Sequence, residues 1–359
     1  MTKGPNSLRR HHLRLLLVHP YAKESKDVEN HLWMQTSYAF ISIYKHRIAS
    51  LDRALQSAPR HQPRQGGHGP VEYRKLMQRF RQFLAEEEKF WTQLVVRLRR
   101  SYGLDEAQSA FVVLGILSAD EPISAQGQDS PEQLQHREGP TTNGRNQFQF
   151  PPEEGSPSVL PQFSTERAGR LAILSKALVC LGDIARYREL YNESGGRPKA
   201  GHEESPVPAR KNARNKRGGA PGTDPIPRAR NYDKAQHCYE QARLLVPCEG
   251  NPSHQLAILA SYQKDLFGSL IHYYRALCVL QPYDTALENL GIVVNKALDQ
   301  WKARMARVKE KNANKAERDG LAPLAPRLRV EIFKEKVVVL HALWRLGLDE
   351  YVPSHLLKW

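Results

Sequence analysis

Asp183, Arg186 and Tyr187 lie close together in LVCLGDIARYREL, residues 178–190. A guanidinium presents a planar fork of donors and a phenol adds one hydrogen bond. A carboxylate three residues back can claim that guanidinium for itself. On a helical wheel Leu174, Leu178, Leu181 and Ala185 form one face, and Ile173, Ala177, Cys180, Ile184 and Tyr187 form its neighbour. A narrow polar stripe of Ser175, Lys176, Gly182, Asp183 and Arg186 is left between them. A helix with so much apolar surface packs on two sides. Arg186 is therefore either directed into a groove or spent on an i,i+3 pair with Asp183. Tyr187 is either a donor in the same groove or a core aromatic.

Other chemistry finds little support in the residues. There is no HExxH, no GxSxG and no glycine-rich phosphate loop, and His11–His12 has no carboxylate beside it. The expectation is a non-catalytic protein without cofactor or metal. The four cysteines, Cys180, Cys238, Cys248 and Cys278, form no CxxC pair and read as buried free thiols of a reducing compartment. No apolar run approaches the roughly 18 residues of a membrane span. Formal net charge is +15, which favours acidic partners. Residues 196–230 hold nine Lys/Arg against three Asp/Glu, so much of the excess sits in one stretch. Its segment ARKNARNKRGG contains Arg210, Lys211, Arg214, Lys216 and Arg217. Such a cluster binds nucleic acid through counterion release, serves as a nuclear-import signal, or simply keeps an insertion solvated. Lys302 and Arg304 open a further basic stretch, KARMARVKEKNANK, that is either a nucleic-acid surface or a solvated helix face.

The elements that must position these groups read as helices. Residues 28–55 carry Leu32, Trp33, Tyr38, Ile41, Tyr44, Ile48 and Leu51 at helical spacing, and residues 73–102 continue with Met77, Phe80, Phe83, Leu84, Phe90, Trp91, Leu94 and Leu98. They predict two long antiparallel helices. A basic, acid-free arm, 1–23, precedes them. Residues 121–163 are rich in Pro, Gly, Gln, Ser and Asn and read as disordered. A helix over 165–191 follows, then a polar basic insertion, 193–230. Helices return from Tyr232, with a lysine-rich interruption near 309–318. No strand alternation is found, so the expected fold class is all-α.

Two segments repeat. NYDKAQHCYEQARLLVP and FGSLIHYYRALCVLQP place Ala235 over Ser269, Tyr239 over Tyr273 and Ala242 over Ala276, each 34 residues apart. That is the tetratricopeptide period. In the second copy the leading helix is HQLAILASYQ, with Ala257 before Ser269. In the first copy its counterpart is LVCLGDIARY, so the basic insertion interrupts a helical hairpin at its turn, where added length is tolerated.

GDIARYR, the YxxAxxxYxxAxxLxP run, GNPSHQLAILASYQKDLFGSLIHYYRAL and PYDTALENL together resemble the Ever Shorter Telomeres/SMG family, whose members act in telomerase recruitment and nonsense-mediated mRNA decay. DVENHLW is similar to its first-helix signature. The resemblance spans residues 27–290 outside the two insertions, and points to a short, fungal-type member. It implies a 14-3-3-like tetratricopeptide domain over 24–286. From 287 it implies the start of a helical region labelled for DNA or RNA binding, cut short at 359. It implies a groove for phosphorylated Ser/Thr peptides, in decay factors those of an Upf-type helicase. Arg186 and Tyr187 match the Arg-Tyr pair that grips phosphate, and a guanidinium suits phosphate bidentately. Tyr38 stands where the decay-factor pattern has lysine. Lys45, two turns on, matches another basic position of the pocket, although its KHR setting also suits a solvated face. Gln255, with His254 beside it, falls at a polar groove contact. The implied partners are a phosphorylated helicase and the decay machinery, RNA or single-stranded DNA with telomerase, and a related family member as heterodimer partner, with no membrane. Nucleus and cytoplasm are the expected compartments. Some relatives carry a nuclease domain with clustered aspartates, for which this sequence shows no counterpart.

Overall fold

Long runs free of proline and rich in Leu, Arg, Gln, Glu and Ala favour helix throughout, and a computed structural model of the chain is built from helices. It describes residues 5–18, 20, 23–25, 27–57, 69–117, 148–150, 164–192, 230–313 and 325–347. The predicted disordered stretch, all but 148–150 of it, and the basic insertion with Arg210, Lys211, Arg214, Lys216 and Arg217 lie outside the described residues. Among the described residues there is no strand, only one isolated bridge between Glu249 and Gln281. The chain divides into two compact units, residues 1–238 and 239–359.

In the first unit, α1 (Pro5–Val18) precedes α2 (Val28–Leu32), a π-helical turn (Trp33–Tyr38) and α3 (Ala39–Ser57), which run on as one rod. α4 (Gly69–Tyr102) packs along α3, α5 (Gln108–Val113) follows, and α6 (Ser164–Leu190) packs along α4. α4 stops where Gly103 takes φ +61°. Its N–H bonds Arg100 O and the next N–H bonds Arg99 O, a Schellman closure. The apolar stripe of α4 runs Tyr73, Met77, Phe80, Leu84, Trp91, Leu94, Leu98 and Tyr102, with Glu87 buried in the gap at its middle. Glu87 pairs with Arg9 of α1 and accepts from Ser37 Oγ at 2.6 Å. Tyr102 in turn donates to Leu16 O at 2.6 Å. The basic arm is thus largely a packed helix: Leu13 and Leu16 are fully buried, and Arg9 is buried with a carboxylate to meet.

The second unit stacks α8 (Asn251–Tyr262), α9 (Leu266–Leu277), α10 (Thr285–Ala313) and α11 (Pro326–Arg345), with α7 (Asp233–Leu245) entering it. All six repeat positions are buried, and Ser269 Oγ donates to Ala257 O at 3.1 Å, joining the two helices of the hairpin at the predicted residues. Asp265 caps α9 by accepting from Gly268 N at 2.9 Å. Gly250 opens α8 with its backbone against the last turn of α9: a Cβ there would lie 2.3 Å from Ala276 O. α10 runs without a break through Lys309–Ala313, part of the expected interruption, because Lys, Glu and Ala propagate helix and no Pro or Gly stands among them. All four cysteines are free. Only Cys238 is buried, its thiol pushed up to about 12 by desolvation, whereas Cys278 is exposed just past the last turn of α9. The uniform expectation of buried thiols therefore holds for Cys238 and fails for Cys278.

Candidate functional site: a cation cradle on α6

α6 is buried on nearly every side from Leu174 to Tyr187, polar stripe included. Ser175, Gly182, Asp183 and Arg186 all lie inside, while Lys176 leaves the stripe to bond Glu29 of α2 at 2.8 Å. Arg186 keeps only 6% of its surface in contact with solvent. Its Nη2 donates to Asp183 Oδ1 at 3.0 Å, and its guanidinium carbon lies 4.8 Å from the centre of the Tyr187 ring. Across from it, Lys45 of α3 brings Nζ to 5.3 Å from the same ring. The buried ring of Tyr187 therefore holds two cations from two helices, a geometry in which the ring quadrupole attracts each of them. Of the two expectations for Arg186 the i,i+3 pair forms, and the residue also shares its aromatic neighbour with the second predicted cation.

The electrostatics of the cradle follow from burial. Asp183 pairs with Arg186 inside the unit, where Coulomb terms are several-fold stronger than in water. A dianion with several acceptor oxygens suits two neighbouring cations, because each oxygen can take a charge-assisted hydrogen bond. Glu88 of α4, also buried, pairs with Arg188 of α6 and with Lys234, and burial pushes the Lys234 ammonium below its ordinary value.

The remaining predicted residues are placed as follows. Tyr38, at the end of the π turn, sets its ring 6.1 Å from that of Trp33, which in turn meets Trp91. The π turn accounts for this pairing, since its wider winding lets residues five apart face each other. Thr36 Oγ1 bonds back to Leu32 O at 2.6 Å within the same turn. Gln255 belongs to the second unit. It is buried on α8, its Nε2 donates to Asn251 Oδ1 at 3.3 Å, and its Oε1 has no hydrogen-bond partner among the described residues. Its neighbour His254 meets Asn289 Nδ2 at 2.9 Å and packs on Tyr283 and Tyr273. On α10 Lys302 is exposed and Arg304 pairs with Glu335 of α11. The buried carboxylates Glu87 and Glu88 escaped the sequence reading. Their signal was there, as two acids where the apolar stripe of α4 should have continued.

Comparison with known proteins gives the arrangement a lineage. Residues 27–192 match the sequence profile of "Telomerase activating protein Est1", and residues 235–341 match that of the "Est1 DNA/RNA binding domain". The two matches cover both units, including α6 and the repeat pair. The chain belongs to the Ever Shorter Telomeres/SMG family. Among curated members it is 26% identical over 292 residues to nonsense-mediated mRNA decay factor SMG7 of Arabidopsis thaliana, covering 80% of this chain and 21% of that protein. It is 30% identical over 122 residues to telomerase-binding protein EST1A of Danio rerio, 34% of this chain and 6% of that one. Against SMG7 of Danio rerio the identity is 40% over 75 residues, 21% of this chain and 6% of that one. The chain thus spans about a fifth or less of the length of these Est1-family relatives. Among the described residues no helix is long and apolar enough to cross a membrane, and no group of His, Cys, Asp and Glu is arranged to hold a metal ion.

Proposed function

We propose that this Est1-family chain is a non-catalytic adaptor in nonsense-mediated mRNA decay that holds a phosphorylated Ser/Thr segment of an Upf-type helicase against α6. The observation that carries the reading is the pair of cations, Lys45 and Arg186, at 5.3 and 4.8 Å from the ring centre of one buried tyrosine. The phosphate takes Arg186 from Asp183, gains Lys45, and accepts from the phenol of Tyr187. Likeness to proteins named as decay factors supports the assignment to that pathway. The same reading places the protein in nucleus and cytoplasm, with a related family member as heterodimer partner. The test is fluorescence anisotropy with a phosphoserine peptide from such a helicase and its unmodified twin. Binding should require the phosphate and fall about a hundredfold in Arg186→Glu, the scale of losing two hydrogen bonds to a charged group. Equal affinity for both peptides would make the groove a phosphorylation-independent scaffold and end the proposal.

A second reading has its own observation, the match of residues 235–341 to a DNA/RNA-binding profile. Under it the protein is a telomerase-associated nucleic-acid binder working through α10 and the segment around Arg210–Arg217. A steep loss of affinity for RNA or single-stranded DNA with rising salt is the mark of that activity.

A further inference from the structure

Within the stretch 118–163 only Phe148, Gln149 and Phe150 are described, and they do not stand alone. Phe150 stacks on Phe90 of α4 with centroids 5.3 Å apart and planes 21° from parallel. Phe148 meets the same ring edge-on at 5.4 Å. The two phenylalanines also touch each other at 5.3 Å, closing a three-ring cluster. Arginines flank it: Arg9 lies 4.4 Å from the Phe90 centroid and Arg97 lies 4.6 Å from that of Phe150. Gln149, between the two rings, is exposed.

This pattern has a simple origin. Pro151 follows Phe150, and a residue before proline is disfavoured in helix and pushed to extended backbone. In an extended chain residues i and i+2 point to one side, so Phe148 and Phe150 present a two-ring tooth. The surface that receives it is built without it. Arg9 is fixed by its pair with buried Glu87, and Phe90 packs edge-on against Trp91. A preformed surface reading two side chains of an extended segment is a peptide-recognition mode, because its cost of ordering is already met.

We propose that the Arg9–Phe90–Arg97 surface is a binding site for Phe-x-Phe segments, occupied in cis by residues 148–150. The site is separate from the α6 cradle and does not depend on the phosphopeptide reading. Its occupant is the chain's own segment, and an added segment of the same chemistry has to compete with it. Apparent affinity in trans is then lowered by the fraction of time the site is open.

The test uses the full chain and a labelled peptide copying residues 146–154. Phe148→Ala/Phe150→Ala should bind it saturably, and wild type should bind about tenfold more weakly or worse. Adding Arg97→Ala to the double variant should abolish the gain, with thermal melting confirming that each protein is folded. No binding by the folded double variant, or equal binding by it and wild type, overturns the proposal. If the double variant does not fold, hydrogen exchange on wild type decides. A saturating excess of peptide should speed exchange at residues 148–150, and no change there overturns the proposal.

Discussion

Two helices of this protein carry arginine and lysine in opposite circumstances. On α6 Arg186 is buried, paired with Asp183 and set against an aromatic ring that a lysine of α3 shares. On α10 Lys302, Arg304 and Arg307 are exposed, with Arg304 paired to Glu335 on the neighbouring helix. A buried, partly neutralised cation sits in one geometry and repays only a ligand that can replace its carboxylate. An exposed cation is solvated, screened by salt and indifferent to the shape of what it meets. The first arrangement suits recognition of a single phosphate, and the second suits a polyanion. Similar charge on two helices therefore implies different selectivity, and burial is what separates them.

The comparison is broken most severely at Asp183. Removing its charge leaves Arg186 buried without its carboxylate, so Asp183→Asn should cost about 1–3 kcal/mol in urea unfolding. The same change should tighten phosphopeptide binding roughly tenfold, because the phosphate no longer competes with a fixed carboxylate. A weaker complex would show that Asp183 positions Arg186 rather than competing for it. A smaller effect is expected on α10. Lys302→Ala should lower the slope of log affinity against log salt by about one for single-stranded RNA, and leave phosphopeptide affinity unchanged. Arg304→Ala should change that slope less, since its guanidinium is already engaged with Glu335. An unchanged slope in Lys302→Ala would take α10 out of the nucleic-acid reading.

The smallest effect is shared by both units. His12 in the first, and His272 and His341 in the second, all have pKa values lowered, each by desolvation first. Neighbouring His11 and His31 add to this at His12, and Arg275 and Arg243 add to it at His272. The unfolded chain takes these protons near pH 6.5, while the folded state holds them off. Their contribution is therefore complete above pH 6.5 and is lost as pH falls below it. Stability should drop between pH 7.5 and 5.5, by no more than about 1 kcal/mol once solvent screening at the partly exposed His272 and His341 is allowed for. Urea midpoints across that range check it, and His272→Gln should flatten the curve slightly.

How much of this could be read from residues alone varied with the kind of residue. The helices of α3, α4 and α6 followed from apolar spacing, and the 34-residue register put Ser269 against Ala257, where they bond. Cys278 was misjudged because helical spacing says nothing about which side of the last turn is covered. The N-terminal segment read only as a basic arm, because its arginines and histidines mark no buried face. That Arg9 is buried rests on Glu87, 78 positions away. For the same reason the docking of Phe148 and Phe150 was invisible, as composition marks the stretch around them as loop and nothing local announces Phe90.

The sequence by itself determined an all-helical chain, a tetratricopeptide-like repeat and a family, because periodicity and motif spacing are local properties of the chain. It also supplied the residue types of the cradle, Lys45, Asp183, Arg186 and Tyr187. Only the tertiary structure decided that two of these cations share one aromatic ring and that one of them is held by an aspartate. It likewise decided that the acids of α4 are buried. Burial and pairing between distant positions depend on which faces meet, and that is settled when helices pack.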